Sequence, residues 1–333
     1  MHMPRDPSMS RPPTASRWLR APACCAALAA CALAARVAVC APAAPAAASA
    51  AAPSAAAATA PTTPAPSLAG SLRARYATLA ERLEKSPFQQ RLVLESVESP
   101  HGLQGDIYAL VDYPFATVSG FTVAARWCDA LILHLNVKYC RDTLRDGRPV
   151  LSVAIGRKYD QPLSDAFHLE FAYTLAASAA DYLDVHLNAR EGPIGTQDYR
   201  IAFEAVALEG GRTFLHLRYS YGYGLEGRVA IAAYLATAGR DKVGFTTTAA
   251  TSGGTAQFLG GARGMAERNT MRYYLAIDAL LGALATPPPQ RFVLSLERWF
   301  AATERYARQL HELDHDAYVA MKRREYLRQQ GPR

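Results

Sequence analysis

The sequence predicts an α+β fold in which an antiparallel sheet is covered on one side by a long helix, with a helical tail beyond it. Three observations carry that prediction. Runs between residues 181 and 223 alternate apolar and polar side chains, the pattern of strands with one buried and one wet face. Asp146-Gly147 and Gly210-Gly211 separate strand-like runs at hairpin spacing, and Asp-Gly is a strong two-residue turn signal. RNTMRYYLAIDALLGAL, residues 268–284, places Tyr273, Tyr274, Ile277, Leu280, Leu281 and Leu284 on one helical face, which suits a helix lying on that sheet.

Taken from the start, residues 1–40 have the organisation of a secretory or lipoprotein signal. Arg5, Arg11, Arg17 and Arg20 precede APACCAALAACALAA, and small-residue cleavage sites follow. A basic segment, a short apolar segment and A-x-A sites describe an exported chain; Arg36 leaves the apolar run too short to span a bilayer comfortably. LAAC resembles a bacterial lipobox, making Cys31 the lipidation candidate. The expected location is therefore the periplasm, with outer-membrane anchoring if Cys31 is acylated; an over-long start before a cytosolic protein is the alternative. Residues 41–67 are an Ala/Pro-rich linker, semi-extended because of its prolines.

About 260 residues remain, enough for one large domain. Residues 68–102 hold an N-terminal helix, with Leu72, Tyr76, Leu79 and Leu83 on one stripe of 68–84, and the lead-in strand RLVLESV. GDIYALVDY reads as the next strand, and FATVSGFTVAARWCDALILH as helix. NVKYCRD and PVLSVAIGR flank Asp146-Gly147, and FHLEFAYTL, DYLDVHLNAR, YRIAFEAVAL and RTFLHLRYSYGY continue the meander. Leu183, Val185, Leu187 and Ala189 share a face, as do Ile201, Phe203, Ala205 and Ala207. In the last run Leu215, Leu217, Tyr219, Tyr221 and Tyr223 oppose Arg212, His216, Arg218 and Ser220, so the charged side chains are assigned to water. KVGFTTT reads as one more short strand. Thr286-Pro287-Pro288-Pro289 stops the long helix, and residues 286–333 form a tail with one helix from about Phe292 to Gln329.

Two motifs invite chemistry and are declined. Gly222, Gly224 and Gly227 spell G-x-G-x-x-G, but a dinucleotide turn follows a parallel strand that is apolar throughout. FLHLRYS alternates instead, so the glycines are assigned to a chain reversal with positive φ and crowded backbone. HELDH at 311–315 matches a zinc-protease helix, yet Asp314 and Asp316 put charge where that helix is buried, so a solvated face is expected. No metal and no cofactor are expected. The net charge of +7 and pI of about 9.1 come from basic residues scattered among acids; without a basic stripe and interleaved aromatics, nucleic acid is not a partner. Of six cysteines only Cys128 and Cys140 lie outside the leader. In an exported chain they are a candidate disulfide, worth roughly 3 kcal/mol if unstrained; two buried thiols are the alternative.

The order of elements is similar to the helix-grip fold of the START and polyketide-cyclase-like superfamily, over residues 103–285. WCDALILHLNVKYC, and KVGFTTT with ERNTMRYYLAIDALL, also resemble an uncharacterised proteobacterial envelope branch of it. That resemblance implies a curved antiparallel sheet wrapped around a long C-terminal helix, with a cavity between them. The residues between Tyr223 and Asn269 and the tail after the long helix depart from the pattern, at the cavity mouth.

On that expectation Tyr219, Tyr221, Tyr223 and Phe203 of the sheet face Arg272, Tyr273, Tyr274, Ile277 and Asp278 of the helix. Aromatic rings with hydroxyl tips suit a mostly apolar pocket with polar anchors; the alternative is an ordinary core, with Arg272 and Asp278 at its solvent edge. His134, Asn136 and Lys138 fall where helix passes to strand, the last two facing water or a loop. The expected function is an exported protein that holds or transports a lipid or other apolar molecule, with membrane-surface association as an accessory. An enzyme of cyclase or hydrolase type, with Asp278 or His134 as acid/base, and an envelope adaptor without ligand are the competing expectations.

Overall fold

A computed structural model describes residues 67–248 and 257–331; the expected signal, the linker and Cys31 lie outside them. Helix α1, Leu68–Glu84, starts at Ser67, whose hydroxyl accepts the Gly70 N–H at 3.1 Å, a side-chain N-cap. Strands β1 (Leu92–Ser99) and β2 (Gly102–Val111) form an antiparallel hairpin. The single helical stretch expected next is three pieces: α2 (Phe115–Val118), a 3-10 turn (Ser119–Thr122) and α3 (Ala124–Leu131). Val123, extended at φ −100° and ψ 123°, breaks the run.

The meander follows as β3 (Val137–Arg145), β4 (Arg148–Ile155), β5 (Phe167–Ser178), β6 (Tyr182–Glu191), β7 (Thr196–Leu208) and β8 (Arg212–Tyr223). Asp146 and Gly147 turn between β3 and β4 with φ 51° and 73°, the double positive φ that a two-residue hairpin takes. The sheet has eight strands in the order β1-β2-β8-β7-β6-β5-β4-β3, every neighbour antiparallel. The first hairpin thus pairs with the last strand, which leaves the faces of the meander to two layers of helices.

Helix α4 is Leu225–Ala236 and α5 is Gly261–Leu281. Then come α6 (Pro288–Glu304), α7 (Ala307–Leu310) and α8 (His315–Gln330). Leu183, Val185, Leu187, Phe203, Leu215 and Leu217 join α5 in the main core, as their alternation requires. Gly105 permits the close approach of α5 to β2, since a Cβ there would stand 2.1 Å from Thr270 Oγ1. Cys128 of α3 and Cys140 of β3 are joined in a disulfide, Cα to Cα 5.1 Å.

Four expectations need correction. The sheet is not covered on one side only: α1 lies on its other face, where Leu72, Leu79 and Leu83 pack with Val93, Tyr108, Tyr182, Val206 and Phe214. Nor is the charge on that face all wet. His216 sits between Asp106 (2.7 Å) and Glu204 (3.0 Å), and the Arg218 Nε–H donates to Asp106 at 2.8 Å. Alternation assigns a side chain to a face but does not say what covers the face. The tail is three helices rather than one, broken at Tyr306 and again at residues 311–314. Its prolines open α6, with Pro288 in the first turn where no N–H is needed. KVGFTTT adds no strand to the sheet: Thr247 makes an isolated bridge with Phe258, while the Phe245 and Thr246 N–H groups donate to Glu267 of α5 at 2.6 and 2.9 Å.

Candidate functional site

Two neighbouring tyrosines of α5 lead to different surroundings. Tyr273 points at β8, its ring 5.1 Å from that of Tyr219. Tyr219 stands 5.7 Å from Tyr221, Tyr221 stacks on Tyr199 at 5.1 Å, and Tyr223 follows at 6.3 Å. These rings are buried, and Phe203 is enclosed by Phe121 and Trp127 at 5.4 and 5.6 Å. Ile277 belongs to the same core. The side chains expected to line a cavity between sheet and helix therefore fill that space themselves.

Tyr274 and Asp278, one turn apart, line an open cleft of about 900 Å³ instead. Leu83, in the last turn of α1, lies beneath it, Leu110 and Val111 come from β2, Phe88 from the loop after α1, and Ala301 and Ala302 from α6. Its polar lining is Tyr113, Ser86, Gln89, Gln90, the acids Glu84 and Asp112, and the cations Arg91, Arg298 and Arg305, with Arg91 paired to Asp112. Tyr113 donates to the Asp278 carbonyl at 3.4 Å and accepts from Arg298 Nη2 at 3.3 Å. Burial pushes the Asp278 carboxyl up, against the pull of Arg298, Tyr113, Arg305 and Gln90. The Tyr113 hydroxyl is pushed up to about 12 by burial and by Asp278, and burial holds Tyr274 well above the ordinary phenol value. The cleft thus offers neutral hydroxyl donors, a carboxyl whose pKa burial raises and two exposed guanidinium groups over an apolar floor.

No family model matches the chain, and no curated protein matches it. Among solved structures it is similar to a START superfamily protein from Mycobacterium smegmatis, with 16% identity over 38% of this chain and 79% of that one, TM-score 0.28. It is also similar to norcoclaurine synthase from Thalictrum flavum, with 14% identity over 44% and 80% of the two chains, TM-score 0.28. Human StAR-related lipid transfer protein 5 is 9% identical over 48% and 88%, TM-score 0.27. The curved antiparallel sheet and the α5 helix held in it decide the architecture. The chain has an α+β fold of helix-grip type, an eight-stranded antiparallel sheet packed on the long helix α5. What those three proteins bind or make is not carried over by likenesses of that size.

Within this helix-grip fold the remaining sequence candidates are scattered. Arg272 is not at a solvent edge: it is 1% exposed, and its Nη2 donates to Glu312 at 2.8 Å and to the Leu310 carbonyl at 3.3 Å. His134 is buried against Tyr273, ring to ring 4.6 Å, and does not line the cleft with Asp278. Burial and the surrounding cations, Arg272 first among them, hold its pKa well below the imidazole value. Lys138 does not face water; it is fully buried, paired with Glu325 at 3.0 Å, and it meets a loop by donating to the Tyr159 carbonyl at 3.1 Å. Asn136 also meets a loop, donating to the Gly156 carbonyl at 2.6 Å.

The two declined motifs resolve differently from their expected causes. Strand β8 is antiparallel to both neighbours, so no dinucleotide turn follows it. None of Gly222, Gly224 and Gly227 has positive φ; crowding alone remains, with a Cβ on Gly227 falling 2.8 Å from the Gly195 carbonyl oxygen. HELDH is not a helix face: Glu312 lies between α7 and α8 and turns inward to Arg272, Lys158 and Lys242. Tyr113, Gln90, Arg298 and Arg305 were not foreseen. Tyr113 sits just past a strand and Arg298 inside a helix read as tail, and neither position carries a local signal.

Proposed function

We propose that this protein binds an amphipathic, mainly apolar small molecule of lipid type in the cleft between α1, β2, α5 and α6. The observation that supports it is the convergence of Tyr274, Asp278, Tyr113 and Arg298 over the apolar floor of Leu83, Leu110 and Val111. A concave site of this volume, in which polar groups converge over an apolar floor, suits a ligand with one apolar and one polar end. The apolar body lies on the floor, and its polar end meets the tyrosine hydroxyls and the guanidinium of Arg298. A raised carboxyl among phenols also supports a second reading, proton transfer to or from a carbonyl-bearing ligand at Asp278. We place this function outside the cytoplasm on the strength of the N-terminal signal pattern; the intact mass of the protein recovered from its own cells checks it, by showing a cleaved leader or an acylated Cys31.

The test of the binding site is Ala301→Trp, which fills the cleft from its exposed side without cutting into the core. Titration with a dansyl-labelled fatty acid should show affinity reduced at least tenfold in A301W and less so in Tyr274→Phe, with unchanged circular dichroism. Wild-type affinity in A301W removes the cleft as the site.

A further inference from the structure

The flank of α5 turned away from the cleft carries more positive charge than its surroundings neutralise. Glu312 is the carboxylate at its centre. It binds Arg272 at 2.8 Å, Lys242 at 3.3 Å and Lys158, with only 11% of its own side chain exposed. Arg268, one turn before Arg272, is 1% exposed and has no carboxylate partner among the described residues. Three cations thus meet on one carboxylate, and Arg268, a fourth, lies close enough to Arg272 and Lys158 to act on both. The nearby buried acid on α8, Glu325, is already shared by Lys138 and Lys322 at 3.0 and 2.8 Å.

Unmet donors accompany the excess charge. Arg268 Nη1, Arg272 Nε and His134 Nε2 are buried with no hydrogen-bond partner among the described residues. His134 Nδ1 accepts the Asn136 N–H at 3.1 Å, so the ring proton of the neutral imidazole is on Nε2, and that atom too is a donor. The groups feel one another. Burial and then Arg272 bring Lys158 down to about 8, and Arg268 acts on both Lys158 and Arg272. Orphaned donors and like charges held together in a buried space are unfavourable unless a negative group is among them.

We propose that this cluster is a buried oxyanion site, in which Arg268, Arg272 and the Nε2–H of His134 hold a phosphate-type or carboxylate group and Lys158 completes the neutralisation. The anion is either a free inorganic ion or the head of an acidic lipid. A guanidinium donates to such oxygens in a fixed planar fork, which suits two arginines one helical turn apart.

The experiment uses the full chain in phosphate-free buffer. The purified protein is denatured and assayed for inorganic phosphate and, by organic extraction and mass spectrometry, for acidic lipid; the melting temperature is then followed against added inorganic phosphate, with chloride at equal ionic strength as control. Stoichiometric phosphate on denaturation, or a saturable rise in melting temperature on adding it, assigns a free ion. Stoichiometric acidic lipid assigns a headgroup. Arg268→Met, which replaces an unpaired buried cation by an apolar chain of similar reach, should lose whichever signal the wild type gives and melt no lower than the anion-free wild type. A301W should keep the signal, so that this site and the cleft fail separately. No anion released and no phosphate response in the wild type, or an undiminished signal in R268M, overturns the assignment.

Discussion

Tyr273 and Tyr274 are adjacent on α5, of one residue type, and both buried, yet one completes a core and the other lines an opening. Tyr273 packs against Tyr219 and His134, rings at 5.1 and 4.6 Å, within the main core. Tyr274 shares a cleft with Asp278, Tyr113 and Arg298. Successive helical positions are separated by about 100°, so neighbours in sequence face different elements. Burial and residue type are therefore the same at a packing position and a binding position here. What separates them is open volume beside an ionisable group.

The largest effect that would sharpen this contrast comes from truncating one ring on each side. Tyr219→Ala removes a buried ring from the packed side and should destabilise by about 3–5 kcal/mol, the range for large aromatic truncations in cores. Tyr274→Phe removes only a hydroxyl at the cleft and should change stability by about 1 kcal/mol or less while weakening the fatty-acid probe. Urea unfolding of the two variants checks this. Equal destabilisation by both would mean that the two sides of α5 do not differ as described.

That contrast also marks how far the sequence could be read. Strand alternation, the Asp146-Gly147 turn and the apolar stripe of α5 are local patterns, and the architecture follows from them. The expected site residues Tyr219, Tyr221, Tyr223 and Phe203 were correctly set on the face toward α5, because a period of two fixes a face. Whether that face closes on itself depends on volumes contributed by Phe121, Trp127 and Tyr199, from segments far apart in sequence. The cleft is less legible still, since Tyr113, Asp278 and Arg298 meet only after β2, α5 and α6 are assembled. Charge misled most. Arg272 reads as a pocket residue or a solvent-edge one, Lys138 as facing water or a loop and Glu312 as part of a solvated face, and each is turned inward by a partner that no local pattern announces.

A second contrast, between two buried acidic neighbourhoods, is open to pH. Beneath α1, burial lowers the His216 pKa, but the hydrogen bonds its ring donates to Asp106 and Glu204 outweigh that and raise it above 6.5. Asp106 and Glu204 are lowered below 3.8 and 4.5, mainly by His216 working against desolvation. A histidine raised on folding contributes stability that is full below 6.5 and is lost as pH rises through its folded value; the two lowered carboxylates contribute stability that is full above about 4.5 and is lost as pH falls. The cluster is thus strongest between about 4.5 and 6.5. Hydrogen exchange of the β2 and β8 amides beneath α1 should be slowest in that window, after correction for intrinsic rates, and His216→Gln should flatten the profile. An unchanged profile in that variant would detach the cluster from the pH response.

Asp278 should show a smaller effect of the opposite sense from its fellow carboxylates. Its folded pKa lies above 3.8 because burial outweighs Arg298. Above 3.8 the unfolded chain gives up this proton first, so the folded state binds more protons, and stability falls as pH rises from 3.8 through the folded value and levels off beyond it. Asp278→Asn removes a charge that burial disfavours and should abolish that decline, making the variant slightly more stable than the wild type at pH 7. It should also weaken any reaction that needs a proton at this position while leaving the fatty-acid probe bound, since Asn still fills the site. A stability-versus-pH curve for D278N that parallels the wild type would show that the carboxyl is held as an ordinary ionised group, and the proton-transfer reading of the cleft would go with it, leaving the binding reading to stand on the A301W titration.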